Sequence, residues 1–164
     1  MQDLGTLGGS ESGAYWVSAD GSVVVGLAYN DQNRRRAYRW QNGVMQDLGT
    51  LGGVWSVAFG VSADGSVVVG WAENAQFQAR AYRWQNGVMA DLGTLGGFQS
   101  EAKGVSADGS VVVGYADNAQ FQARAFRWRN GAMQNLGTLG GNESSAYGVS
   151  ADGSVVVGWA YNAQ

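Results

Sequence analysis

A chain of 164 residues, 45% hydrophobic and 12% aromatic, is long enough to bury one sizeable core and too short for two ordinary domains. Its formal net charge of −3 gives no basic footprint for nucleic acid or an anionic membrane surface, and no apolar run approaches the roughly 18 residues of a membrane span. The absence of cysteine excludes disulfides and thiolate metal sites, the absence of histidine removes the usual general base and the commonest zinc ligand, and 27 glycines with no proline leave glycine to do the turning.

The chain opens on Met1-Gln2-Asp3-Leu4-Gly5-Thr6-Leu7, and this motif returns at Met45, Met89 and Met133, a constant period of 44 residues. Such a period decides the architecture before any local reading does. The chain is a single repeat domain, 1–164, of units 1–44, 45–88 and 89–132 and an incomplete unit 133–164. Units 45–88 and 89–132 agree at 34 of 44 positions without gaps. Because Met1 opens in mid-motif, the polypeptide reads as an excised, processed or engineered piece of a longer array.

In the second unit the predicted elements run in order: strand A near 58–62, a turn at Ala63-Asp64-Gly65-Ser66, strand B over 67–72, and a longer B-to-C loop over 73–78. Strand C follows over 80–84, then an Asn86-Gly87 turn, strand D over 89–95, and a D-to-A loop opening on Gly96-Gly97. Asp-Gly and Asn-Gly both read as type I′ hairpin turns, and helix signals are absent. A four-stranded meander of this length matches one blade of a β-propeller. The Val-Val-Val-Gly run of strand B suits a sheet covered on both faces, as stacked blades require. The expected fold is therefore all-β, a β-propeller-type array of four-stranded antiparallel blades, with a β-solenoid as the alternative.

Finer expectations follow from the register. Gly60, Gly104 and Gly148 on strand A allow close backbone approach near a crowded centre, and Trp16 breaks that column. Counting back from Asn130-Gly131 puts Arg124, Phe126, Trp128 and Met133 on one face, with Asn135 beside Arg124. In the preceding units Arg36 with Asp47 and Arg80 with Asp91 become diagonal neighbours able to form ion pairs. Trp40, Trp84 and Trp128 are expected in the blade-to-blade core.

Three motifs in constant order, Asp-Leu-Gly-Thr-Leu-Gly-Gly, Gly-Val-Ser-Ala-Asp-Gly-Ser-Val-Val-Val-Gly and Arg-Ala-Phe-Arg-Trp, resemble the HAF-type extracellular repeat family of bacteria over the whole chain. The Ser-Ala-Asp-Gly-Ser turn is also similar to turns of TolB-type and WD-type propellers, which supports the strand order A-B-C-D. The resemblance implies a repeat array that is secreted or displayed on the cell surface, and it carries no catalytic residue to transfer.

The chemistry-bearing residues point the same way. Asp20, Asp64, Asp108 and Asp152 recur at one turn and read as turn formers, since near-identical repeats do not supply the two contrasting environments that an acid/base pair needs. Each turn offers one carboxylate where a calcium loop wants several oxygens, and Leu-Gly-Thr-Leu-Gly-Gly lacks the lysine and helix of a phosphate cradle. No catalytic, cofactor or metal site is expected. Variation between copies concentrates in three columns: Glu11, Trp55, Gln99 and Glu143; Gly13, Val57, Glu101 and Ser145; Tyr15, Phe59, Lys103 and Tyr147. Read as lying in the D-to-A loop, on the blade edge shared with the B-to-C loop, they form a ligand or partner face for a glycan or protein, with Trp55 and Phe59 as anchors. Two other readings stay open: an engineered or amplified blade array with no natural ligand, and a glycan-acting propeller enzyme using carboxylates such as Glu11, Glu101 or Glu143. Beginning with a D strand and stopping after a B strand, the chain should hold fifteen strands and leave an unpaired edge, so self-association is expected.

Overall fold

The computed structural model describes residues 2–163; Met1 and Gln164 lie outside the described residues. It is all-β and contains no helix among the described residues. The first blade is β1 (Gly8–Val17), β2 (Val23–Asn30), β3 (Arg35–Gln41) and β4 (Val44–Asp47). The second is β5 (Gly52–Val61), β6 (Val67–Asn74), β7 (Ala79–Gln85) and β8 (Val88–Asp91). The third is β9 (Gly96–Val105), β10 (Val111–Asn118), β11 (Ala123–Arg129) and β12 (Ala132–Asn135), and the fourth holds only β13 (Gly140–Val149) and β14 (Val156–Asn162). Within each blade successive strands pair antiparallel, in the meander order 1-2-3-4.

The core lies between blades. The B strand explains why: Val67, Val68 and Val69 are all fully buried, so neighbouring side chains that point to opposite faces of the sheet are both covered. Val23, Val25 and Ala37 of blade 1 pack with Ala58, Val68 and Trp84 of blade 2, and Val67, Val69 and Ala81 of blade 2 repeat the arrangement with Ala102, Val112 and Phe126 of blade 3. Each blade thus has a forward face, built on the first and third valines, and a backward face built on the second. Trp84 sits in this core, and Trp128 packs against the next one, partly buried. The diagonal pairs form as the register required, with Arg36 Nε 3.0 Å from Asp47 Oδ2 and Arg80 Nε 3.2 Å from Asp91 Oδ2.

Four expectations change. Strand A is longer and strand D shorter than the sequence signals indicated: β8 ends at Asp91 and β9 already begins at Gly96, so Gly96-Gly97 opens a strand instead of a loop. The second glycine of the pair lets the chain lie against the end of strand B, for a Cβ on Gly97 would fall 2.4 Å from Asp117 Cβ and 2.6 Å from Asn118 O. The B-to-C connection is correspondingly tight. Asn74 Oδ1 accepts from the backbone of Gln76 and Gln78, and the Asn74 N–H donates to Gln78 O at 3.0 Å. Phe77 and Phe121 take positive φ there (58° each), an unusual state for a bulky side chain, where the first blade has Asn33.

The two short turns also differ from one another. Asn86 (φ 53°) and Gly87 (φ 82°) are both left-handed, as type I′ demands, whereas in the Asp-Gly turns only the glycine is. There the aspartate serves as an acceptor instead: Asp64 Oδ1 receives Ser62 Oγ at 2.6 Å, Ser66 N at 3.0 Å and Ser66 Oγ at 2.9 Å. Finally, fourteen strands form among the described residues, not fifteen. Residues 2–6 have no strand C to pair with and stay irregular, and Leu7 makes an isolated bridge to Asn30.

The serine hydroxyl, then the serine backbone N–H, hold the Asp20, Asp108 and Asp152 carboxyls down to about 2, and Asp64 is lowered by the same contacts. A depressed folded-state pKa contributes stability that is complete above the unfolded-state value near 4 and is lost as pH falls towards 2. A denaturation midpoint followed from pH 5 downwards should therefore hold until about pH 4 and then fall across that window. A midpoint that stays flat down to pH 2 would contradict the assignment.

Candidate functional site

The innermost strands, β1, β5, β9 and β13, come together at the axis, where strand A residues from all four blades line a small cavity of about 100 Å³. Each of these strands carries a β-bulge at the same place. In β5, Ala58 pairs with Gly70 and Gly60 pairs with Val69, so Phe59 is the extra, unpaired residue. The same two-against-one arrangement isolates Tyr15 in β1, Lys103 in β9 and Tyr147 in β13. A bulge re-aims the side chain it carries. The third variable column, Tyr15, Phe59, Lys103 and Tyr147, therefore lies on strand A, inside the strand expected over 58–62 and not in the D-to-A loop, and is presented at the inner end of every blade.

These side chains form a chain of contacts across blades. Tyr15 stacks on Phe59 with ring centroids 6.0 Å apart, and Lys103 Nζ lies 4.3 Å from the Phe59 centroid and 5.9 Å from that of Tyr115. Lys103 also pairs with Glu101, so the ammonium is held between a carboxylate and two ring faces. Burial, and next the Glu101 charge, raise the Tyr115 phenol above its ordinary value. Tyr147 is 58% exposed and borders an open cleft of about 310 Å³ shared with Glu101, Lys103, Tyr115 and Trp159. Trp16, the departure from the glycine column, is accommodated because its side chain projects into open space, 61% exposed. At Gly60 an added Cβ would meet Val69 Cγ2 at 3.2 Å and Lys103 O at 3.6 Å, so glycine is favoured there without being obligatory.

The column Glu11, Trp55, Gln99 and Glu143 is also on strand A, at a second irregularity near its start. Between the Gly52–Asn74 and Ser56–Ala72 pairs the strand swells outward, and Glu73 Oε2 caps it by accepting from Val54 N at 3.0 Å and Trp55 N at 3.2 Å. In blade 3 Asp117 takes this place. Burial raises its carboxyl above the ordinary value, and the hydrogen bond from the Gln99 backbone offsets part of the rise. Arg35 lies over the Trp55 ring at 4.8 Å, and Phe98 stacks on Phe121 at 5.0 Å. The two columns are not merged into one pocket. They form an inner aromatic and cationic row and a second, more exposed row at the start of the same strands.

The carboxylates of the enzyme reading are dispersed. Glu11, Glu101 and Glu143 stand on three different blades, and Glu101 is already engaged by Lys103. Among the described residues no group of three or more metal-binding side chains converges. What sequence reasoning missed is the pair of bulges, whose only signal is the glycine of Val-Val-Val-Gly, read there merely as the end of an apolar run.

The sequence matches no family model and no curated protein. Among solved structures it is similar to TolB from Acinetobacter baumannii, with a TM-score of 0.68 and 17% identity, covering 92% of this chain and 37% of that one. A TolB-type protein from Agrobacterium tumefaciens gives a TM-score of 0.68 and 17% identity, covering 90% of this chain and 53% of that one. The chain thus spans between about a third and a half of these proteins' lengths, and the likeness establishes the β-propeller fold.

Proposed function

We propose that this propeller array is a non-enzymatic binding module that takes a glycan or protein ligand on its inner-strand face. The observation that carries the reading is the coincidence of variability with exposure and geometry. Blades that agree nearly everywhere differ at Tyr15, Phe59, Lys103 and Tyr147, and those are the bulge residues that a rigid, repeated scaffold turns inward and leaves at least partly accessible. Flat ring faces beside an ammonium and a carboxylate suit a ligand with an apolar face and a few polar groups, and they include neither a nucleophile–base pair nor a metal cluster. A bacterial cell-surface or secreted location, with a role in adhesion or scaffolding, belongs to the same proposal and rests on the three HAF-type motifs.

The test is a pair of arrays, one of glycans and one of peptides, probed with the labelled chain. Retention on a ligand of one class is expected, with affinity reduced at least about tenfold in Phe59→Ala and in Tyr147→Ala and unchanged in Phe77→Ala, which alters an exposed hairpin away from the bulge row. No glycan should be hydrolysed. Turnover of any glycan, retention indifferent to both inner-row substitutions, or no retention on either array would overturn the proposal.

A further inference from the structure

The inner row already holds a charged occupant, the Lys103 ammonium, and the groups around it come from the junction of blades 2 and 3. The Phe59 ring, carried by the β5 bulge, has its centroid 4.3 Å from Lys103 Nζ, and the Tyr115 ring on β10 has its centroid 5.9 Å away. Glu101, the direct cross-strand partner of Tyr115, makes the ion pair. Two ring faces and a carboxylate around one primary ammonium supply what such a group loses on leaving water: the rings meet the charge with their electron-rich faces, and the carboxylate accepts an N–H.

The combination is particular to one blade. Gly13, Val57 and Ser145 stand in the other blades where Glu101 does, and Tyr15, Phe59 and Tyr147 where Lys103 does, so carboxylate and ammonium occur together there and nowhere else in these columns. The Lys103 side chain is 26% exposed and that of Glu101 19%, which withdraws the pair from most of the solvent and still leaves it open to approach. Glu101 is the one hydrogen-bond partner of the ammonium among the described residues, and a flexible four-carbon stem carries it. A second ammonium can therefore take its place while Lys103 turns out into water.

We infer that Phe59, Glu101 and Tyr115 form a site for an external alkylammonium group, with Lys103 as its resident occupant, and that the ligand of the inner row is a peptide whose lysine side chain exchanges with Lys103. The inference rests on the binding reading above and narrows its ligand to the peptide class. Exchanging one ammonium for another keeps Glu101 paired, so no uncompensated charge is left in a part-buried place. A tethered competitor acts at an effective concentration on the order of millimolar, so a single lysine binds weakly and a peptide gains by adding contacts with the other rings of the row.

The probes are array peptides carrying free or Nε-acetylated lysine, and a single lysine blocked at its α-amino and carboxyl groups. Peptides retained by the wild-type chain should contain lysine, and acetylating that lysine should weaken retention at least about tenfold. In titration calorimetry the blocked lysine should bind Lys103→Ala at least about tenfold more tightly than wild type, because the tethered competitor is gone, and adding Glu101→Gln should abolish the gain. Circular dichroism reports whether Lys103→Ala keeps its fold; if it does not, the acetylation comparison on the wild type decides. Retention indifferent to acetylation, retention on glycans alone, or no gain in a folded Lys103→Ala overturns the inference and leaves the binding reading standing, whereas no retention on either array overturns both.

Discussion

Replacing Gly70 with alanine should destabilise the fold by more than about 3 kcal/mol, the scale reached only when a substitution forces atoms into a core that cannot give way. Gly70 pairs with Ala58, immediately before the Phe59 bulge, and there strand A is pushed towards strand B. A Cβ on Gly70 would sit 2.0 Å from Val57 O and 3.0 Å from Ala58 Cα, both backbone atoms of a strand whose neighbours on either side are buried. Side chains can swing aside and a hydrogen-bonded backbone cannot, so the strain has to be relieved by flattening the bulge or parting β5 from β6. The control is Gly87→Ala in the C-to-D turn, where φ is 82° but nothing lies within 4 Å of the added methyl. Its cost should be the left-handed penalty alone, about 1–2 kcal/mol. Chemical denaturation of the two variants beside wild type separates the effects. Equal losses would show that the opposing strand yields to the added methyl, so that its closeness is not why glycine ends every Val-Val-Val-Gly run.

The same glycine marks the boundary between what could be read in the sequence and what could not. The 44-residue period, the meander, the two-faced burial of the B strand and the Arg36–Asp47 and Arg80–Asp91 pairs all follow from patterns that act over neighbouring residues or across one hairpin, where spacing alone sets geometry. The bulges do not. Whether Phe59 is an extra residue in strand A depends on how β5 is registered against β6, where the pairing shifts between Ala58–Gly70 and Gly60–Val69. The repeat columns are evident in the sequence, but those of Trp55 and Val57 precede the strand expected over 58–62 and so read as loop. The start of strand A was misplaced for a related reason: Gly96-Gly97 has the composition of a turn, and only its fit against Asp117 and Asn118 makes it a strand. Tyr82 shows a further limit. Its hydroxyl is buried with no partner, and Phe126 fills the same place one blade later, so the shared ring is what the core uses, a fact that neither residue type reveals alone.

Ser100 also drew no notice in the sequence, being one serine among many in a chain of turns, and Ser100→Ala should cost about 2–4 kcal/mol. The reason is the unequal length of the outer strands. Strand β11 runs seven residues and β12 four, and β7 and β8 differ in the same way, so the inner part of each C strand extends beyond the D strand that follows it. The Ala81 N–H lies there and donates to Ser100 Oγ of the next blade at 2.9 Å. Ser100 in turn donates to Gly93 O at 2.6 Å, and Ser56 and Ser144 make the equivalent pairs of bonds in their own blades. Ser100 is fully buried, so removing its hydroxyl strands a donor and an acceptor from two different segments. Ser12 provides the comparison within the same molecule: it is exposed and keeps only the bond to Gly5 O at 2.7 Å, so Ser12→Ala should cost less than about 1 kcal/mol. Thermal and denaturant midpoints of the two variants decide the matter. If they fall by similar amounts, the hydroxyl is not what ties one blade to the next.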